Sequence, residues 1–99
     1  MDPQTEPAQR WVLNANLVTR SVGGQVFILM PDSTMHILEN ESAVLLYSLL
    51  RGSPEVGQSA EDLVSALLEN FEVSGEMARE DVRDFVRDLH GLGILSIRP

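Results

Sequence analysis

The chain contains no cysteine and no lysine. Without cysteine there is no disulfide framework, thiolate metal site, iron–sulfur ligand set or thiol nucleophile. Without lysine there is neither a Schiff-base amine nor a phosphate-loop lysine. Aromatic residues are few, with one Trp, one Tyr and three Phe among 99 residues. No apolar run approaches the roughly 18 residues of a membrane-crossing helix. The opening MDPQTEPAQR lacks the basic start and apolar stretch of a secretion signal. These absences lead to the expectation of a soluble, cytoplasmic chain.

Positive charge is also short. Fifteen acids face seven arginines, for a net charge of −8. A phosphate-tracking protein must neutralise its ligand with Lys and Arg, so nucleic acid is disfavoured as a partner. An anionic membrane surface is disfavoured for the same reason. The deficit lies in the second half: residues 1–38 carry −1 and residues 39–99 carry −7.

What remains is a sequence for one domain, 43% hydrophobic by residue and long enough for a single core. Residues 1–10 hold two prolines, two of the acids and little that is apolar, and are expected to be a disordered tail ahead of a domain over 11–99. From Trp11 to Leu38 the pattern is β-like, with the first strand run over Leu17–Val22. Gly23-Gly24 separates two β-rich runs and supplies the positive φ that a tight hairpin requires. Pro31-Asp32-Ser33 is a second turn, and Thr34–Leu38 follows as a third strand, giving a three-stranded antiparallel meander.

The period then becomes helical. Asn40 can cap a helix carrying Ala43, Val44, Leu46, Tyr47 and Leu50 on one stripe, which Gly52-Ser53-Pro54 stops. Ser59 and Asp62 form a capping box ahead of Leu63, Val64, Leu67, Leu68 and Phe71. Ser74 opens a third helix whose apolar face is Ala78, Val82, Phe85, Val86 and Leu89, closed by Gly91 or Gly93. Ile94–Ile97 is too short for a helix and is read as an extended tail. Strands followed by helices, without alternation, give an α+β fold.

Chemistry is sparse. His36 and His90 stand on different elements and in no metal-ligand spacing, so no metal and no cofactor are expected. Glu61-Asp62 and Glu80-Asp81 sit near helix starts, where acids favour the positive dipole end. Gly23-Gly24 lacks the other parts of a phosphate loop, and no nucleophile elbow is present. No catalytic residue is assigned, and the chain is not expected to be an enzyme.

The third helix is the informative element. At about 100° per residue, Arg79, Arg83 and Arg87 run along one flank of its apolar face, with Asp81, Asp84 and Asp88 along the other. These charges either orient an extended ligand or simply decorate a solvated surface. The Thr34–Leu38 strand adds a second clue, since an edge strand beside this helix offers unpaired backbone groups to a peptide.

At this point the sequence resembles the PqqD-like family, small peptide chaperones also called precursor recognition elements of ribosomally made peptides. The family's middle motif, roughly N-E-T-A followed by an apolar run, W-x-L-L-x-G, reads here Asn40-Glu41-Ser42-Ala43 through Tyr47-Ser48-Leu49-Leu50-Arg51-Gly52. Asp62-Leu63-Val64 through Phe71, Asp81-Val82 and Leu89-His90-Gly91-Leu92-Gly93-Ile94-Leu95 match the downstream stretches, and Arg20 with Gly23-Gly24 suits the first hairpin. The match spans Leu17 to Leu95. It departs from the family at Glu39, where Leu is usual, at Tyr47 for Trp, and at Arg51 for Asp.

The resemblance implies a winged-helix-like module of three strands and three helices that is not catalytic. It would bind the leader of a precursor peptide by strand addition and present it to a separate modifying enzyme, such as a radical SAM maturase or a protease. Carried onto this chain, the peptide-binding residues would be Thr34, Met35, His36, Ile37 and Leu38 with Arg79, Val82, Arg83, Val86 and Arg87. Two other readings compete: a winged-helix DNA-binding regulator, against which the acidic third helix argues, and a protein–protein adaptor that kept the fold without leader binding.

Overall fold

The computed structural model describes residues 9–98. The tail expected over 1–10 lies outside the described residues except for Gln9 and Arg10, and Arg10 opens the first strand. The elements in chain order are β1 (Arg10–Leu13), β2 (Val18–Val22), β3 (Gln25–Leu29), β4 (Met35–Leu38), α1 (Glu41–Arg51), β5 (Gln58–Ser59), α2 (Ala60–Asn70), α3 (Gly75–Gly91) and β6 (Leu95–Ile97). The fold is α+β.

The meander is present as an antiparallel sheet in the order β2-β3-β4. Val22 pairs with Gln25 across a two-residue turn. Gly23 and Gly24 there have φ of 56° and 85°, the paired positive angles of a type I′ hairpin that glycine adopts without strain. The β3–β4 turn uses a three-residue loop. Met30 N–H donates to the Thr34 carbonyl at 2.8 Å, Ser33 N–H donates to the Met30 carbonyl at 2.9 Å, and Ser33 sits at φ 75°. This is a type I turn closed by a left-handed bulge residue. Asp32 accepts from Thr34 N–H at 2.9 Å, and this bond holds its carboxyl below the usual carboxylate range.

The helices begin where their side chains satisfy the first orphan N–H groups. Asn40 accepts from the N–H groups of Ser42 and Ala43, and Ser74 accepts from that of Met77. Ser59 and Asp62 form the reciprocal capping box. At the end of α3, Gly93 N–H reaches the His90 carbonyl and Ile94 N–H reaches the Leu89 carbonyl, with Gly93 at φ 83°. That pair of hydrogen bonds with a left-handed glycine is a Schellman stop, so Gly93 is the residue that terminates the helix, two positions past its last residue, Gly91.

A second antiparallel sheet, in the order β5-β1-β6, differs from the sequence reading. The expected extended tail is in fact β6, pairing Leu95 with Leu13 and Ile97 with Trp11. On its other edge β1 pairs Arg10 with Ser59 and Trp11 with Gln58. The core joins Val26 and Ile28 of the meander to Leu46, Tyr47 and Leu50 of α1. Leu63 and Leu67 of α2, the five apolar residues of the α3 stripe, and Ile94 and Leu95 complete it. Leu68, expected on the buried face of α2, is 45% exposed. The helix turns it away from the α1 and α3 contacts that cover Leu63 and Leu67.

Candidate functional site

β4 is an outer strand of the meander, and its second edge has no partner strand among the described residues. The phase of its pairing decides which backbone groups that edge offers. Opposed residues in an antiparallel pair alternate between bonded and non-bonded. Met30 and Thr34 form a bonded pair, so Ile28 with His36 and Val26 with Leu38 are bonded as well. Met35 and Ile37 are therefore the β4 residues whose N–H and carbonyl groups turn outward. Thr34 itself belongs to the turn, one residue before the strand.

Side chains alternate in the complementary sense. His36 and Leu38 share the inner face with buried Val26 and Ile28, and both are partly covered. Met35 and Ile37 lie on the outer face, 53% and 47% exposed. There Met35 joins Val18, Val22, Phe27 and Leu29 around Arg20 in a shallow apolar depression.

The end of β4 meets α3 across a groove of 330 Å³. Its apolar floor is Leu38, Ala43, Leu46, Phe85 and Leu89, with Asp81, Asp84 and Asp88 along the α3 wall and Asn40 and Ser42 at the α1 end. An extended chain added to β4 would pass this groove and could drop alternate side chains into it.

Arg79, Val82, Arg83, Val86 and Arg87 are brought together, but on the opposite side of α3. They line a separate groove of 540 Å³ with Gln9, Trp11, Ala60, Glu61 and Val64. The expected surface is thus divided into a β4 edge with the aspartate flank and an arginine flank facing β1 and α2. The helix ridge between them carries the ion pairs of Arg87 with Asp84 at 3.3 Å and with Asp88 at 3.2 Å. Asp81, Phe85 and Leu89, which line the groove beside β4 with Leu38, were readable as a flank and an apolar face of the helix but not as the side turned toward β4. Trp11 was missed as a groove residue. Its ring packs edge-on against His90, with centroids 5.5 Å apart.

Among the described residues, no three His, Asp or Glu side chains gather as a metal-ligand set, and no helix is long and apolar enough to cross a membrane. His36 and His90 remain apart, on β4 and α3.

These features define a class of small α+β domain in which an open sheet edge runs beside the last helix. Residues 25–95 match the family described as coenzyme PQQ synthesis protein D (PqqD), and the chain belongs to that family. No curated protein sequence matches it. Two solved structures share its fold. One is TbiB1 in complex with the TbiA(beta) leader peptide, with 22% identity and a TM-score of 0.76 over 86% of this chain and 94% of that one. The other is lasso peptide synthetase B1 complexed with the leader peptide, with 18% identity and a TM-score of 0.73 over 88% and 98%.

Proposed function

We propose that this chain is a non-catalytic adaptor that holds the leader of a ribosomally made precursor peptide as an added strand on β4. It presents that peptide to a separate modifying enzyme in the cytoplasm, where such precursors are made. The observation that carries the reading is the open β4 edge, with the backbone groups of Met35 and Ile37 turned outward, beside the groove from Leu38 to Phe85. Strand addition draws affinity from main-chain hydrogen bonds and selectivity from pockets for alternate side chains. Neither needs a reactive residue. PqqD membership supports the reading, as do two fold relatives solved with leader peptides bound.

The test uses a panel of fluorescently labelled leader peptides from ribosomally made precursors, titrated with the protein and read by anisotropy. One of them should bind saturably while its scrambled version does not. Ile37→Pro removes an outward N–H without touching the β3 ladder, so it should weaken that peptide by about two- to tenfold with an unchanged circular dichroism spectrum. A peptide that binds wild type and Ile37→Pro equally would remove strand addition at β4.

A further inference from the structure

The arginine groove is left without a role by leader binding at β4. We infer that it is a second docking site, for an amphipathic protein segment whose apolar side chains are flanked by carboxylates. The inference stands on this groove alone and does not depend on which peptide β4 takes.

The floor of the groove is Trp11, Val64, Val82 and Val86, contributed by β1, α2 and α3. It is larger than the groove beside β4, 540 Å³ against 330 Å³, and it is open to solvent along the α3 rim. Three of the chain's seven basic residues stand on that rim. Arg87 is held by Asp84 and Asp88, whereas Arg79 and Arg83 have no carboxylate within ion-pair distance among the described residues. Among the described residues, Glu61 is the one acid lining the groove.

An apolar floor with two uncompensated guanidinium groups, in a chain of net charge −8, selects its occupant by charge complementarity. Arg79 and Arg83 are four apart on one helix flank, which sets their Cβ atoms about 6 Å from each other. Carboxylates four apart beside the apolar face of a partner helix repeat that spacing, and each can accept a guanidinium fork through two parallel hydrogen bonds. Nucleic acid would meet the acidic remainder of the surface, and two arginines are too few to track a phosphate backbone. A second copy of this chain would need an exposed carboxylate row aligned with an apolar stripe on its own surface. The α3 aspartates instead border the β4 groove. Because the two grooves flank opposite sides of α3, a peptide on β4 and a protein segment in the arginine groove can be held together, as an adaptor requires.

Trp11 is the only tryptophan in the chain and lines this groove, so its fluorescence reports on occupancy directly. The full chain would be titrated with a synthetic 14-residue helical peptide bearing leucines on one face and glutamates four apart beside them. The control peptide has lysine at each glutamate. The expected result is a saturable change in Trp11 emission with the glutamate peptide and none with the lysine peptide. The affinity should fall at least about fivefold in the double variant Arg79→Glu, Arg83→Glu, and also on raising salt from about 50 mM to about 500 mM. Arg79→Gln, Arg83→Gln should give an intermediate loss, and Ile37→Pro should leave the affinity unchanged, which separates this groove from the β4 edge. Equal response to the two peptides, or an affinity indifferent to the arginine variants, would overturn the assignment. A shift in Trp11 emission with protein concentration alone, accompanied by dimer in sedimentation, would overturn it in favour of a second copy.

Discussion

The Tyr47 hydroxyl lies 2.7 Å from Thr19 Oγ1, joining the middle of α1 to the first strand of the meander. Tyr47 is 1% exposed, so its ring fills the seam between sheet and helices while its polar tip keeps one partner. A buried phenol without that partner would carry an unpaired donor at substantial cost. The residue that takes the Trp position of the family motif is therefore a core anchor and not a peptide contact.

Truncating it should be costly. Tyr47→Ala should destabilise by about 3–5 kcal/mol, the range for removing a large buried aromatic side chain. Tyr47→Phe should cost about 0.5–1.5 kcal/mol, the worth of a typical hydrogen bond. Chemical denaturation reads both, and a midpoint unmoved by Tyr47→Ala would place the ring outside the core.

Tyr47 also predicts the alkaline limit of the fold. Burial raises its hydroxyl above the ordinary value of 10.0, against the smaller opposing effects of the Thr19 bond and the Arg51 charge. Below the ordinary value both folded and unfolded chains hold the proton, and stability is unaffected. Above it the unfolded chain ionises first, so the folded state binds more protons and stability falls as pH rises toward the folded value. With no lysine, no cysteine and one tyrosine, no other side chain titrates between about pH 9 and about pH 12. Melting temperature should decline over that window in the wild type and stay flat in Tyr47→Phe. Parallel declines would assign the loss to something other than this hydroxyl.

The caps, the hairpins and the apolar faces were legible because each is decided within a few residues. Asn40, Ser59 and Ser74 bond N–H groups two or three positions on, and Gly23-Gly24 sets its own turn. The β5-β1-β6 sheet was not legible, because strands of two to four residues come from three distant regions and carry no period of their own. The candidate site was half legible for a related reason. A helical wheel separates the arginine flank of α3 from its aspartate flank, but which flank faces β4 depends on how α3 crosses α1 and α2. That angle is a property of packing, not of spacing.

Gly57 is a residue whose importance appears only in three dimensions. It sits at φ 76°, and a Cβ there would lie 2.4 Å from the Trp11 carbonyl oxygen and 2.9 Å from Val12 Cγ1. Gly57→Ala should thus force β5 away from β1 as well as strain the backbone, at a cost of roughly 1–3 kcal/mol or more. Gly52→Ala meets only ordinary contacts at 3.6 Å and serves as the control. Equal melting temperatures for the two variants would show that β1 yields without penalty.

Asp62 closes the α2 capping box through Ser59 N–H and also accepts from Arg10 Nη2 at 3.1 Å. One carboxylate thereby ties the start of β1 to the start of α2. Ser59→Ala should cost about 0.5–2 kcal/mol, and Arg10→Gln, breaking a partly exposed pair, only about 0–1 kcal/mol. Asp62→Ala loses both bonds and should exceed Arg10→Gln. A double-mutant cycle between positions 10 and 62 measures the shared part, and a zero coupling energy would mean that the ion pair contributes nothing to holding β1.

The charge of the β4 groove gives the test that separates the two sides of α3. Asp84 and Asp88 are partly neutralised by Arg87, while Asp81 has no ion-pair partner among the described residues and lines the groove beside Leu38. A leader on β4 that carries Lys or Arg opposite this wall should lose affinity in Asp81→Asn, and one that carries Asp or Glu there should gain it. An exposed charge contact is worth about 0–1 kcal/mol, so each change is at most about fivefold. The gap between the two leaders should narrow as salt rises. Arg83→Gln, on the far side of the helix, should leave both affinities within about twofold of wild type. Anisotropy titrations of a basic and an acidic version of one leader against the two variants decide the matter. If Arg83→Gln weakens the acidic leader while Asp81→Asn changes neither, the leader crosses to the arginine groove and the division of labour between the two grooves is wrong.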